Sequence, residues 1–231
     1  MELSKKEIII RSWDIMKDHL GLMVIIVLFL LSLNIMISIV QDRLLGDISY
    51  QSVLFIIAAY LFQMGLNLGM LRICLNMINN EEVNFFQLFN SFHMLIPYAL
   101  ATILYIAALL FAAAPGLLLL KTISMGSLSG LAVNAQTMLS TIIMIIPAIY
   151  LSVRLQFYEY FLIDEECGII ESIKKSAEIS KGYVLELFII GSILVLFILI
   201  SIIPMGLGLI FTIPLSTVVM SYVYLKLNKN H

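Results

Sequence analysis

Six stretches of this chain are long enough and apolar enough to cross a lipid bilayer, and no other feature restricts its fold as strongly. A helical span needs about 20 apolar residues to cross roughly 30 Å of hydrocarbon. Residues of about 20–40, 52–78, 93–119, 137–163, 183–203 and 206–226 meet that requirement. In lipid no water pairs with backbone N–H and C=O groups, so each run must satisfy them internally as a helix. The expected fold class is therefore all-α, a polytopic membrane bundle of six transmembrane helices forming a single domain over 1–231. Charged residues are 12% of the chain, against about 25% in soluble domains, which points to a lipid solvent. The first run is read as an uncleaved span: its apolar core is too long for a signal peptide and no small-residue cleavage site follows it.

Within that frame one segment occurs twice, 84 positions apart. Glu81-Glu82-Val83-Asn84-Phe85-Phe86-Gln87-Leu88-Phe89 aligns with Glu165-Glu166-Cys167-Gly168-Ile169-Ile170-Glu171-Ser172-Ile173. Upstream, Gly65-x-x-x-Gly69 sits 83 positions before Ala148-x-x-x-Ser152, and Arg72 sits 82 before Arg154. Small residues four apart let membrane helices approach closely, so Gly65, Gly69, Ala148 and Ser152 are expected at helix contacts. Downstream, Pro115 and Pro204 each close an apolar run. The unit is span–elbow–span, with repeat units 52–119 and 137–205, two in-plane amphipathic elbow helices at 81–92 and 165–181, and a pseudo-two-fold axis along the membrane normal.

Asn84 is placed to cap the first elbow with Gln87 in the capping-box position, and Phe85, Phe89 and Phe92 form its apolar face. Ile169, Ile170, Ile173 and Ala177 form the face of the second, with Glu171 spaced to pair with Lys174 and Lys175. Lys181-Gly182 reads as that helix's end. Residues 1–19 are expected to form an interfacial amphipathic helix, capped by Ser4 and Glu7, with Ile9, Trp13, Met16 and Leu20 on its apolar stripe. The same stripe also suits packing on the protein's own inner face.

Lysine and arginine set the orientation. With the N-terminus inside, Lys5, Lys6, Arg11, Lys17, Arg72, Arg154, Lys174, Lys175, Lys181, Lys226 and Lys229 face the cytoplasm, and only Arg43 and Lys121 lie outside. That bias puts both termini in the cytoplasm. Cys74 and Cys167 then lie near the reducing side, where neither a disulfide nor a thiolate metal site is expected.

The run Pro147-Ala148-Ile149-Tyr150-Leu151-Ser152-Val153-Arg154-Leu155 carries a likeness that continues through Phe157, Phe161-Leu162-Ile163-Asp164 and Glu171-Ser172-Ile173-Lys174-Lys175-Ser176 to Lys181-Gly182. It resembles a bacterial integral-membrane superfamily that includes YciC-like proteins and the membrane domain of glycerophosphoryl diester phosphodiesterase. Pro-Gly is usual in that group where this chain has Pro147-Ala148. The resemblance implies a six-span protein of the bacterial inner membrane and implies no established activity; the phosphodiesterase catalytic domain is not in this chain.

Ionisable groups inside spans mark sites or structural pairs, because burying charge in lipid is costly. The candidate polar site comprises Arg72, Arg154, Glu159 and Glu186. Arg154 suits an anionic headgroup or substrate, or an ion pair with Glu159 or Glu186. Those two glutamates suit proton relay or cation binding, or hydrogen bonds to nearby tyrosines. Gln63 and Asn67, at i and i+4, with Asn34 on the first span, make polar faces that join helices. Pro147 and Pro214 lie inside spans and kink them. His19, His93 and His231 are dispersed, and there is no metal-ligand spacing, phosphate-binding glycine loop or nucleophile constellation. No cofactor, metal or nucleic acid is expected. Partners are membrane lipids and another membrane protein or a second copy. The expected role is non-enzymatic, a helper or scaffold binding another envelope component. The alternative is a transporter or lipid-handling protein with its site between the repeats.

The charge bias makes a direct prediction. A reporter active only outside the cytoplasm should be active when inserted at 44–49 and silent when inserted at 166 or after 229; the opposite pattern overturns the orientation.

Overall fold

The computed structural model describes residues 4–44, 50–124, 130–203 and 206–229. Those residues contain nine α-helices and no strand. They are α1 (Lys5–Asp18), α2 (Leu20–Leu44), α3 (Tyr50–Ile78), α4 (Leu95–Ser124), α5 (Gly130–Leu155), α6 (Tyr158–Asp164), α7 (Ile169–Ile179), α8 (Val184–Ile202) and α9 (Leu209–Asn228). Six segments are long and apolar enough to span a membrane: Leu20–Arg43, Ser52–Ile78, Phe85–Leu120, Gln136–Asp164, Val184–Ile202 and Leu209–Asn228. Pro204 and His231 lie outside the described residues, and so do the side chain of Lys121 and the loop holding Asp47.

Burial is concentrated at one end of the bundle. Met23, Ile26 and Val27 are buried at the start of α2, Leu66 through Met77 along most of the end of α3, and nearly all of α6. Leu187 and Ile190 near the start of α8 and Val218 through Leu227 on α9 complete that core. The opposite halves carry exposed apolar side chains: Ile35, Met36 and Ile39 on α2, Phe111 and Leu118 on α4, and Met138 and Leu139 on α5. Because successive spans alternate in direction, the buried ends all belong to one level, the lysine- and arginine-rich one. Helix α9 forms the core, with 44% of its span window buried; the span that contains α4, at 6%, forms the periphery. Helices α4 and α5 pack chiefly on each other, through Gly116, where an added Cβ would meet Met144 and the Ser140 carbonyl. Apolar surface left bare in this way costs nothing in lipid.

The N-terminal helix packs on α9, and Arg11 Nη1 donates to Tyr222 Oη at 3.1 Å. Its inward face is Ile8, Ser12 and Met16: Met16 as expected, but Ile8 and Ser12 in place of Ile9 and Trp13, with Trp13 and Ile10 exposed. Ser4 makes no side-chain cap. The chain turns into α2 at His19, whose N–H reaches the Met16 carbonyl at 3.1 Å.

The first elbow is not an α-helix but two 3₁₀ turns, Phe85–Phe89 and Phe92–Met94. Helix α3 ends in a Schellman arrangement: Asn80 takes a left-handed φ of 59°, and Glu81 N–H reaches the Asn76 carbonyl at 2.9 Å. Asn84 Oδ1 then accepts from Gln87 N at 3.1 Å, whereas the Gln87 amide donates to the Glu82 carbonyl at 2.9 Å instead of completing a capping box. Packing explains the tight turns. Phe85 meets Phe29 edge-on at 5.3 Å and Phe92 meets Phe62 at 5.5 Å, which pulls the elbow onto α2 and α3. A Cβ on Gly65 would strike the Phe92 ring, and one on Gly69 would overlap the Leu88 backbone carbonyl. The two glycines therefore seat the elbow, at the start of the spanning segment Phe85–Leu120.

The second elbow does hold an α-helix, α7, but its buried face is Ser172, Ser176, Ile179 and Ser180, and Ile170 is exposed. Gly182 after it has φ 89°, a left-handed stop. Serine on this face has a purpose at the break between α5 and α6. Ser176 Oγ accepts from Phe157 N at 3.0 Å and donates to the Arg154 carbonyl at 3.1 Å. The expected span 137–163 is present as the segment Gln136–Asp164, but its helix is interrupted between Leu155 and Tyr158, where α7 satisfies two groups the break leaves unpaired. Pro115 likewise departs from expectation: it lies within α4, which continues to Ser124.

Gly69 offers a sharp test. Gly69→Ala should destabilise by about 1–3 kcal/mol through overpacking against the Leu88 carbonyl. Gly191→Ala, where nothing lies within 4 Å, should be neutral or stabilising. Thermal unfolding of the two variants in one detergent checks this; equal behaviour refutes the seating role.

Candidate functional site

A cleft of about 350 Å³ opens among α3, α4, α6 and α9. Its walls are Asn67, Met70 and Leu71 of α3, Tyr98 of α4, Glu159 and Tyr160 of α6, and Ile213, Ser216, Thr217 and Met220 of α9. Glu159 stands five residues before the end of α6 at Asp164, roughly 7 Å inside the boundary at 1.5 Å per residue. Ile213 stands fifteen residues before the end of α9, so the cleft rises roughly 20 Å, toward mid-bilayer.

Each polar wall group is fixed by local geometry. Glu159 lies in the first turn of α6, just past the break after Leu155, and Tyr98 Oη of α4 donates to its Oε2 at 3.2 Å. Tyr158 supports this contact from beside. It stacks on Tyr98 at 6.2 Å and on Tyr105 at 5.1 Å, and its hydroxyl lies 3.0 Å from Thr102 Oγ1. On α9, Pro214 lies within the helix, and Ser216 and Thr217 hydroxyls both donate back to the Ile213 carbonyl, at 2.7 and 3.2 Å. Such back-bonding bends helices and leaves hydroxyl lone pairs free. They are available to the cleft.

The four residues of the expected polar site do not assemble. Glu159 alone lines the cleft. Arg72 lies 3.7 Å from Glu166, which His93 also approaches at 3.7 Å. Arg154 donates to the Ala177 carbonyl at 2.6 Å and lies 5.9 Å over the Tyr150 ring; no ion pair joins it to Glu159 or Glu186 among the described residues. Its Nε, the Gln156 amide nitrogen and Glu186 Oε2 are buried with no hydrogen-bond partner among those residues. Gln63 donates to Asn34 Oδ1 at 2.6 Å, tying α3 to α2. Asn67 faces the cleft, Ser152 Oγ turns back to the Ile149 carbonyl at 2.8 Å, and Ala148 is half-buried.

A second polar cluster fastens the wet end. Lys175 Nζ lies 2.8 Å from Glu165 and 2.8 Å from Glu171, and Asn228 donates to Glu165 at 3.1 Å. Hydrogen bonds to Glu165 and Glu171 hold the Lys175 ammonium above its ordinary pKa, and Lys175 in turn lowers Glu171. Tyr224 Oη donates to Asp164 Oδ2 at 2.9 Å. These contacts bind α9 to the second elbow and do not reach the cleft. No group of three metal-binding side chains occurs among the described residues.

Tyr98, Ser216 and Thr217 were not among the expected site residues. Tyr98 with Thr102 at i+4, and Ser216-Thr217 just after Pro214, are polar faces inside apolar runs and carried that signal.

Fold and cleft define an all-helical, membrane-embedded protein with a carboxylate-bearing cleft between its helices. The chain belongs to the family described as protein of unknown function (DUF975), whose family model matches residues 1–231. No curated protein and no solved structure matches it.

Removing the one hydroxyl that meets Glu159 tests the site's geometry. Tyr98→Phe keeps the ring stack and should lower stability by about 1–3 kcal/mol, the usual cost of an unsatisfied buried acceptor. Unchanged thermal unfolding would show that the bond does not hold the carboxylate.

Proposed function

We propose that this protein is a non-enzymatic multi-pass module of the bacterial cytoplasmic membrane that takes an amphipathic ligand, as a transporter or lipid-handling protein does. One observation carries the reading: polar groups on α3, α4, α6 and α9 converge on a single open cleft with apolar flanks. Pockets of this kind, mostly apolar with a few placed polar groups, are the usual form of a ligand site. The cleft is walled by α3 and α4 of the unit 52–119, α6 of the unit 137–205 and the extra span α9, and the short segments 85–94 and 169–179 support reading those units as an internal repeat with two elbows at the cytoplasmic rim. The N-caps Asn84 and Gly168 keep the offset of 84. Both termini are placed in the cytoplasm by the lysine and arginine bias. Kinship with the YciC-like group and with the phosphodiesterase membrane domain remains part of this proposal, resting on the 147–182 motif.

A second reading is a helper or scaffold that docks another membrane protein. It is favoured by the α4–α5 hairpin, where Ile103, Phe111 and Leu118 are 64%, 84% and 65% exposed. Bare apolar surface is also what lipid requires, so the cleft has the stronger claim.

Native mass spectrometry of protein extracted in mild detergent separates these readings. One small molecule or lipid retained per chain, and lost from Thr217→Trp, is the expected result. Wild-type protein that carries nothing, or a filled-cleft variant that retains the same mass, sinks the ligand reading. A second polypeptide in place of the ligand transfers the assignment to the scaffold reading.

A further inference from the structure

From the kinds of polar atom the cleft presents, we infer that its ligand is an amphipathic amine, bound by its ammonium group at Glu159 with its alkyl part along Met70, Leu71, Ile213 and Met220. This rests on the reading of the cleft as a ligand site. The walls hold one charged side chain, the Glu159 carboxylate, and no lysine, arginine or histidine. Both nearby span arginines are engaged elsewhere, Arg72 with Glu166 and Arg154 with the Ala177 carbonyl.

The neutral polar groups point the same way. Ser216 and Thr217 have spent their hydroxyl protons on the Ile213 carbonyl, so each offers only lone pairs to the cleft. Tyr98 has spent its proton on Glu159. Among the wall groups, the Asn67 amide and the Tyr160 hydroxyl still have protons to give. A site so rich in acceptors, with one carboxyl group and no basic side chain, is matched by a ligand that brings donors and a positive charge. Charge-assisted bonds to a carboxylate are about twice as strong as neutral ones, and the Tyr98 and Tyr160 rings favour a cation nearby. An inorganic ion fits poorly, since a second carboxylate, histidine or cysteine is missing from the walls. About 350 Å³ with apolar flanks suits an organic cation instead.

The ammonium can come from a soluble amine or from a lipid headgroup, and one assay separates them. Unfolding of the detergent-solubilised protein is followed by a thiol-reactive fluorogenic dye, for which the fully buried Cys74 is the reporter. Saturating hexylamine should raise the melting temperature by about 3–6 °C, the shift that ligand linkage gives for a chain of this size. Hexanol and hexanoate should not, and Glu159→Gln should lose the response while Ile103→Ala, on an exposed face of α4 outside the cleft walls, keeps it. Should Glu159→Gln fail to fold, Thr217→Leu, which narrows the cleft and leaves the charge, must weaken the response in its place. Lysophosphatidylethanolamine acting at lower concentration than hexylamine, with lysophosphatidylglycerol inert, assigns the lipid source; response to hexylamine alone assigns the soluble one. Equal shifts with hexanol or hexanoate, or a response that survives Glu159→Gln, overturn the inference. Silence from every amine does the same while a retained ligand in the mass spectrum leaves the cleft reading standing; silence with an empty spectrum removes both.

Discussion

The arrangement depends on one hydroxyl. A helix interrupted near the membrane leaves backbone groups without partners, and in a poorly hydrated setting each costs several kcal/mol. Ser176 meets two of them at once, accepting from Phe157 N and donating to the Arg154 carbonyl. It is completely buried, and it belongs to α7, the element that follows the interrupted span. The break and the elbow therefore stabilise each other. Beyond the break α6 packs against α3, α4 and α7, and Glu159 meets Tyr98 on α4.

The other contacts gather at the same level. The wet end is held by several kinds of contact: aromatic rings around Tyr224, the Lys175–Glu165–Asn228 cluster, and the first elbow seated on Gly65 and Gly69. None of them extends to the opposite half, where apolar side chains face outward from every span. In water such a structure would close up under the hydrophobic effect. In lipid there is no such force between helices, and only packing and hydrogen bonds draw them together. A bundle fastened at one end and open at the other is thus a stable form here, and a cleft at the limit of the fastened region follows from it.

Much of this was legible in the sequence, and the rest failed for identifiable reasons. Six apolar runs gave six spanning segments, since length and composition alone decide that. Asn84 as a cap and Gly182 as a helix stop were readable because capping and left-handed turns have local chemistry. The α5–α6 break was not, because its cause lies about twenty residues downstream in Ser176 and leaves no local mark in 150–160. The first elbow's 3₁₀ form was hidden for a similar reason: Phe29, Phe62, Gly65 and Gly69 impose it from two other helices. Glu159 stands out in the sequence as an ionisable residue inside an apolar run, but its partner Tyr98 is 61 positions away and no spacing rule connects them.

The arginines show how the two halves are joined. Arg72 and Arg154 occupy matching places in the repeated pattern, which suggested that each would serve its own unit. Instead both reach the second elbow, Arg72 through Glu166 and Arg154 through the Ala177 carbonyl. The Arg72 contact is partly exposed and is worth little in stability on its own. Its significance is positional. With both cations drawn to the second elbow, the first elbow is left to be held by aromatic packing and glycine seats. The same withdrawal leaves the cleft among α3, α4, α6 and α9 without a positive side chain. Glu159 consequently has a tyrosine and no cation beside it, and a carboxylate kept in that condition inside a membrane is matched by a charge that comes from outside the chain.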